Sequence, residues 1–233
     1  MAKRFTLEIS VQTVEAALAA ERGGADRIEL CADLNVGGLT PSRELLRGVR
    51  EAVGIPVFSM IRPRGGDFVY SAEEYEEMRR AIAVAKESRM DGLVLGILHE
   101  DRRVDVERTR ELVGQARPLP ATFHRAFDEC HDLQQSLEVV IQTGAARILT
   151  SGGAKSALEG ATVLASLNEA ASERIVIVPG AGISAANVAE VVQQTGAREF
   201  HSGLSTALPY HSRAYRKFEA EVRKLAERLK GLP

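Results

Sequence analysis

The stretch Thr122-Phe123-His124-Arg125-Ala126-Phe127-Asp128-Glu129-Cys130 sets an imidazole, a guanidinium, two carboxylates and a thiol side by side. Its opening residues read as a strand, in which side chains alternate between two faces. With Phe123 and Phe127 on the packing face, Thr122, His124 and Ala126 fall on the other. The same parity sets Leu7, Ile9, Ile28, Leu30 and Phe200 against helices. It turns Glu8 and Ser10, Glu29 and Cys31, and Glu199 and His201 the opposite way. Five ionisable side chains, Glu8, Glu29, His124, Glu199 and His201, are therefore expected to point inward. Arg62, Arg64, Arg125 and Asp128 follow at or just past the ends of their strands.

An isolated carboxylate in an apolar interior costs several kcal/mol unless it is paired, hydrogen-bonded or bound to a metal. Glu8 thus requires a cationic neighbour, and Arg62 or a histidine is the expected partner. One outcome is a charge-balanced plug in which these groups satisfy one another. The other is a site, favoured for the set as a whole because barrel interiors are normally filled by Val, Ile and Leu. As an enzyme, the chain would hold an anion with Arg62 and use His124 or Glu29 as acid or base. Glu8 would orient that group or hold a metal, and Asp128 and His201 complete the candidate catalytic set. Histidine beside a carboxylate suits proton transfer near neutral pH. Glu8, Glu29, His124 and His201 would also suit a divalent ion of Mn or Zn type.

Glycine-rich turns supply a second signal. Thr150-Ser151-Gly152-Gly153 and Pro179-Gly180-Ala181-Gly182-Ile183-Ser184 each lead from a strand toward a helix. Backbone N–H groups in such turns can cradle an anion, so Gly152, Gly153, Gly180 and Gly182 are candidate phosphate contacts. The second turn lacks the third glycine of a dinucleotide fingerprint, which argues against a Rossmann domain. Neither a Gly-x-Ser-x-Gly elbow nor HExxH is present. Cys31 and Cys130 form no CxxC, read as small buried hydrophobes, and fit a reduced cytoplasmic chain without structural disulfides.

These residues need a scaffold, and the chain alternates strand and helix patterns throughout. Strands are expected at 5–10, 27–31, 57–62, 92–98, 121–127, 147–151, 175–179 and 199–202. Helices are expected at 14–22, 42–53, 72–88, 106–116, 133–143, 156–171, 185–195 and 214–229, where apolar residues recur at three- and four-residue steps. Ser71 with Glu74 forms a capping box, Thr40 caps ahead of Pro41, and glycines at 23, 54, 144 and 196 stop four helices. Gly24-Ala25-Asp26-Arg27-Ile28-Glu29, Gly144-Ala145-Ala146-Arg147-Ile148-Leu149 and Gly196-Ala197-Arg198-Glu199-Phe200 repeat one device: helix stop, turn, buried strand. Eight such units in 233 residues predict a single-domain α/β TIM (β/α)8 barrel over 1–233.

The bulk numbers exclude several classes. A net charge of -2 leaves no electrostatic footprint for nucleic acid. No apolar run approaches the ~20 residues of a membrane span. The opening MAKRFTLEIS has two basic residues but no apolar run after them, so it is not expected to be a secretory signal.

The runs Glu29-Leu30-Cys31-Ala32-Asp33-Leu34, Gly37-Gly38-Leu39-Thr40-Pro41-Ser42 and Met60-Ile61-Arg62-Pro63-Arg64-Gly65-Gly66-Asp67-Phe68 resemble the CutC copper homeostasis family. So do Thr122 to Asp128, Arg147 to Gly153 and the segment around Gly180-Ala181-Gly182. The likeness reaches from the first strand to His201. It implies a cytoplasmic TIM barrel, a homo-oligomer, and copper binding, with Cys31 at the family's cysteine position as candidate copper ligand. The competing reading is an enzyme acting by acid–base chemistry on a small anionic, phosphorylated or sugar-like metabolite at the polar barrel mouth.

Overall fold

A computed structural model describes residues 5–204 and 212–233. Lys3 and Arg4, the basic pair of the opening stretch, lie outside the described residues. Eight parallel strands run in the order β7-β6-β5-β4-β3-β2-β1-β8. They are β1 (Thr6–Val11), β2 (Arg27–Leu30), β3 (Val57–Met60), β4 (Gly92–Leu95), β5 (Ala121–Phe123), β6 (Arg147–Thr150), β7 (Val176–Pro179) and β8 (Glu199–Ser202). β1 pairs with both β2 and β8, so the sheet curls round on itself. β7 and β8 pack side by side at the seam. Around it lie α1 (Val14–Gly23), α2 (Arg43–Ala52), α3 (Ala72–Glu87), α4 (Val106–Ala116), α5 (Leu133–Thr143), α6 (Ala161–Ala171), α7 (Val188–Thr195) and α8 (Ser212–Lys230). This is the expected (β/α)8 barrel. No described helix is long and apolar enough to cross a membrane.

Two cores form because each strand has two faces. Leu7, Ile9, Ile28, Leu30, Phe123 and Phe200 join the helices in one continuous apolar layer. Cys31, Leu34, Phe58, Met60 and Val94 form a separate cluster inside the barrel. The parity of the strands therefore falls as the alternation predicts, with Cys31 on the lumen side.

Local signals mostly hold, with corrections. The Ser71 hydroxyl accepts from Glu74 N–H while the Glu74 carboxylate accepts from Ser71 N–H, the reciprocal capping box. The repeated turns use left-handed Gly24, Gly144 and Gly196. Gly23 instead lies against α8, where a Cβ would come 2.7 Å from Val222. α2 ends on an extended Val53, and the Gly54 N–H goes to Glu21 Oε1 at 2.7 Å. Ser42, not Thr40, caps α2; Thr40 Oγ1 donates to the Arg62 carbonyl and accepts from Arg62 N–H. The fifth strand stops at Phe123 and tightens into a 3-10 turn over Arg125–Glu129. α6 and α7 begin later than their apolar spacing predicts, because Gly160 is pressed against the Ser151 carbonyl and 184–187 form turns.

Inward glycines make room for large neighbours. A Cβ on Gly92 would stand 2.5 Å from the Phe58 ring, and one on Gly180 2.5 Å from Leu149 Cδ1. Overpacking of this kind typically costs ~1–3 kcal/mol. Gly92→Ala is expected to lower the thermal midpoint accordingly, and an unchanged melting curve would remove Gly92 from this role.

Candidate functional site

The inward charges divide into a closed lower layer and an open upper one. At the lower end, Arg27 Nε donates to Glu8 Oε2 at 2.5 Å and Arg27 Nη2 to Glu199 Oε2 at 2.7 Å. Arg147 Nε also donates to Glu199 Oε2, at 3.0 Å. Both guanidinium groups stack on Phe58, at 4.8 and 5.2 Å from its centroid. Burial alone would raise the Glu8 pKa, but the Arg27 charge and the His201 hydrogen bond hold it at about 2. Glu8 and Glu199 are thus members of a charge-balanced plug. Of the expected partners of Glu8, a histidine is there, His201, whereas Arg62 is elsewhere; the guanidinium is that of Arg27, its register neighbour across β1 and β2. Arg27 and Arg147 were missed, although Arg27-x-Glu29 and Arg147-x-Leu149 carry the same alternation that marks the other inward residues.

One step up, His201 Nδ1 lies 2.8 Å from Glu8 Oε1, and its Nε2 lies 3.9 Å from Glu29 Oε2. Burial opposes charging of His201, yet the two carboxylates outweigh it and raise its pKa. Burial, followed by the like charge of Glu8 and against the pull of His201, raises that of Glu29. Cys31 Sγ donates to Glu29 Oε2 at 3.5 Å, and burial with the Glu29 charge drives the thiol well above its ordinary 9.0. Ligand atoms of Glu8, Glu29 and His201 all lie within 4.8 Å of one another, a spacing that could hold a metal ion. His124, expected in that set, is not part of it.

Above this layer a cavity of about 670 Å³ opens at the C-terminal end of the strands, where barrel sites form. Glu29, Met60, Arg62, Phe68, His124, Asp128, Gly182 and His201 are on its wall. Glu29 Oε1 and His124 Nε2 are buried without a hydrogen-bond partner. His124 Nδ1 accepts from Ala126 N–H at 3.3 Å. Burial first, then the Arg62 charge, lowers the His124 pKa to about 3, so the ring is neutral.

Asp128 and the first glycine turn have a different role from the one their types suggest. The Asp128 carboxylate accepts from Thr150 Oγ1, from the backbone N–H groups of Ser151 and Gly153, and from Arg125 Nε. The protein's own carboxylate therefore occupies the cradle expected for a phosphate at Gly152 and Gly153. Gly180 gives space to Leu149, whereas left-handed Ala181 and Gly182 bring backbone to the cavity wall. Cys130 Sγ is buried behind the 3-10 turn, 3.8 Å from the Ala126 carbonyl.

Comparison with known proteins agrees with this architecture. A model of the CutC family matches residues 5–206. A human protein named copper homeostasis protein cutC homolog is 51% identical over 200 residues, 86% of this chain and 73% of that protein. A family protein CutC from Xylella fastidiosa is 50% identical over 202 residues, 87% of this chain and 76% of that one. The crystal structure of a CutC protein from Streptococcus agalactiae superposes with a TM-score of 0.80 at 34% identity, covering 85% of this chain and 98% of that one. A phosphoribosylanthranilate isomerase from Thermotoga maritima, 14% identical with a TM-score of 0.61, covers 98% of this chain and shares the fold alone. The chain belongs to the CutC family.

Proposed function

We propose that the protein serves copper homeostasis in the cytoplasm by binding copper at the barrel mouth, with Cys31 as thiolate ligand. The names of its relatives support the role. The observation that carries it is the position of Cys31: on the lumen face, against Glu29, and next to a buried Glu29 oxygen that lacks a partner. Cys31 Sγ and Met60 Cε both crowd Gly38, where a Cβ would lie 2.8 and 3.5 Å from them. A thiol and a thioether thus share one wall, and such soft sulfur ligands suit copper(I). The sequence shows no spacing between Cys31 and Met60 that would announce this pair, because they lie at the ends of two adjacent strands, Cys31 just after β2 and Met60 closing β3.

The metal must displace the Cys31 proton. Since burial and Glu29 keep that thiol protonated, copper affinity is expected to rise with pH, about tenfold per unit for one proton released. Titration of copper(I) against a chromophoric chelator tests the site. Cys31→Ala should weaken binding by roughly 10–100-fold or more, at least the loss seen on removing outer-shell partners of a metal. Equal affinity in both proteins would remove Cys31 from the role.

A further inference from the structure

We propose that Arg62 and His124 form a binding site for a small organic oxyanion, a carboxylate or phosphate ester of metabolite size. The proposal is independent of the copper reading, and its polar contacts come from other residues. Arg62 is 5% exposed and lies on the cavity wall. Its guanidinium donates to the carbonyls of Val36, Gly38 and Gly66 at 2.8, 3.3 and 2.8 Å. These carbonyls orient the group without neutralising it. Among the described residues no carboxylate lies within 4.0 Å of it. Arg27, equally buried, shows the contrast, since it sits between Glu8 and Glu199. A buried cation normally has a counter-ion, and at Arg62 the cavity is where one can enter.

His124 supplies the second contact. It is 3% exposed, and its Nδ1 accepts from Ala126 N–H. The proton of the neutral ring therefore resides on Nε2, as a donor. That atom is buried with no acceptor, an arrangement that native proteins rarely leave unfilled. The ring is held there on purpose-built space: a Cβ on Gly96 would lie 2.7 Å from Nδ1.

Phe68 fixes the two groups relative to each other. The Arg62 guanidinium carbon lies 4.7 Å from its ring centre and the His124 ring 4.8 Å from it. A ligand of metabolite size would place an anionic group on Arg62 and a carbonyl or hydroxyl oxygen on His124 Nε2–H, with both groups on the wall of one cavity. Leu34, Met60, Leu149 and Ile183 line the rest of the cavity and would cover its carbon atoms. The same buried cation disfavours a metal ion at this end of the pocket.

The test is calorimetric titration of the full chain, free of copper, with pyruvate, glycolate, glycerol phosphate and inorganic phosphate. The carboxylate and phosphate arms decide between the two sources of the oxyanion. At least one should bind with a Kd near 1 mM or tighter, and Arg62→Lys and His124→Phe should each weaken it about tenfold or more. Binding unchanged in both variants, or no anion tighter than about 10 mM, would overturn the proposal. Because either variant could disturb the pocket, the wild type gives a second readout. Saturation with the anion should shift the His124 Nε2 proton resonance, and an unmoved resonance would also overturn it.

Discussion

Arg27→Met is expected to lower the stability of the barrel by about 3–5 kcal/mol, the usual cost of removing one partner from a buried ion pair. The measurement is the urea unfolding midpoint at neutral pH. Glu8 is 2% exposed, and without Arg27 it would keep only the His201 contact among its described side-chain partners. Glu199 would retain Arg147. The remedy should lie with Glu8: adding Glu8→Gln removes the stranded charge and is expected to restore much of the loss. A loss below about 1 kcal/mol in the single variant would show that the lower layer is not a coupled plug.

His124→Gln should flatten the acid side of the stability profile. The native His124 titrates at about 3, against an ordinary 6.5, through burial and then the Arg62 charge. Between those two pH values the unfolded chain takes up a proton that the native state refuses. Stability therefore falls as pH drops through this window, by up to about 1.4 kcal/mol per unit, on the order of 4–5 kcal/mol across it. His201 and Glu29, both raised, act in the opposite direction. They are present in both proteins and largely cancel in the difference between wild type and variant. Urea midpoints measured from pH 7 to pH 4 decide the matter; parallel slopes would mean that His124 is not a buried neutral ring.

Much of the fold was legible because its signals are local. The eight glycine- and cap-punctuated units need only near neighbours in sequence: a capping serine, a left-handed glycine, an apolar period. Boundaries failed where a tertiary contact won over that local pattern. Residues 156–160 have helical spacing but are held as a turn against the Ser151 carbonyl. The strand through His124 was cut short because its imidazole accepts from the backbone two residues on and starts a 3-10 turn.

The candidate site was legible residue by residue but not in its pairing. Alternation along a strand is a period of two, so the inward faces of Glu8, Glu29, Cys31, His124 and His201 follow from the sequence itself. Which inward groups meet depends on strand register and barrel closure, which no single strand encodes. Register put Arg27 opposite Glu8, and closure brought β8 alongside β1 so that His201 could reach Glu8 and approach Glu29. The path of the chain after β5 carried Asp128 into the Gly152–Gly153 cradle, turning an expected anion site into an internal clasp. The sequence by itself determined the barrel and its polar lining. The tertiary structure alone decided which of those groups neutralise one another and which, the Arg62 cation and the neutral His124 ring, are left on the cavity wall, because neutralisation depends on distances between residues far apart in the chain.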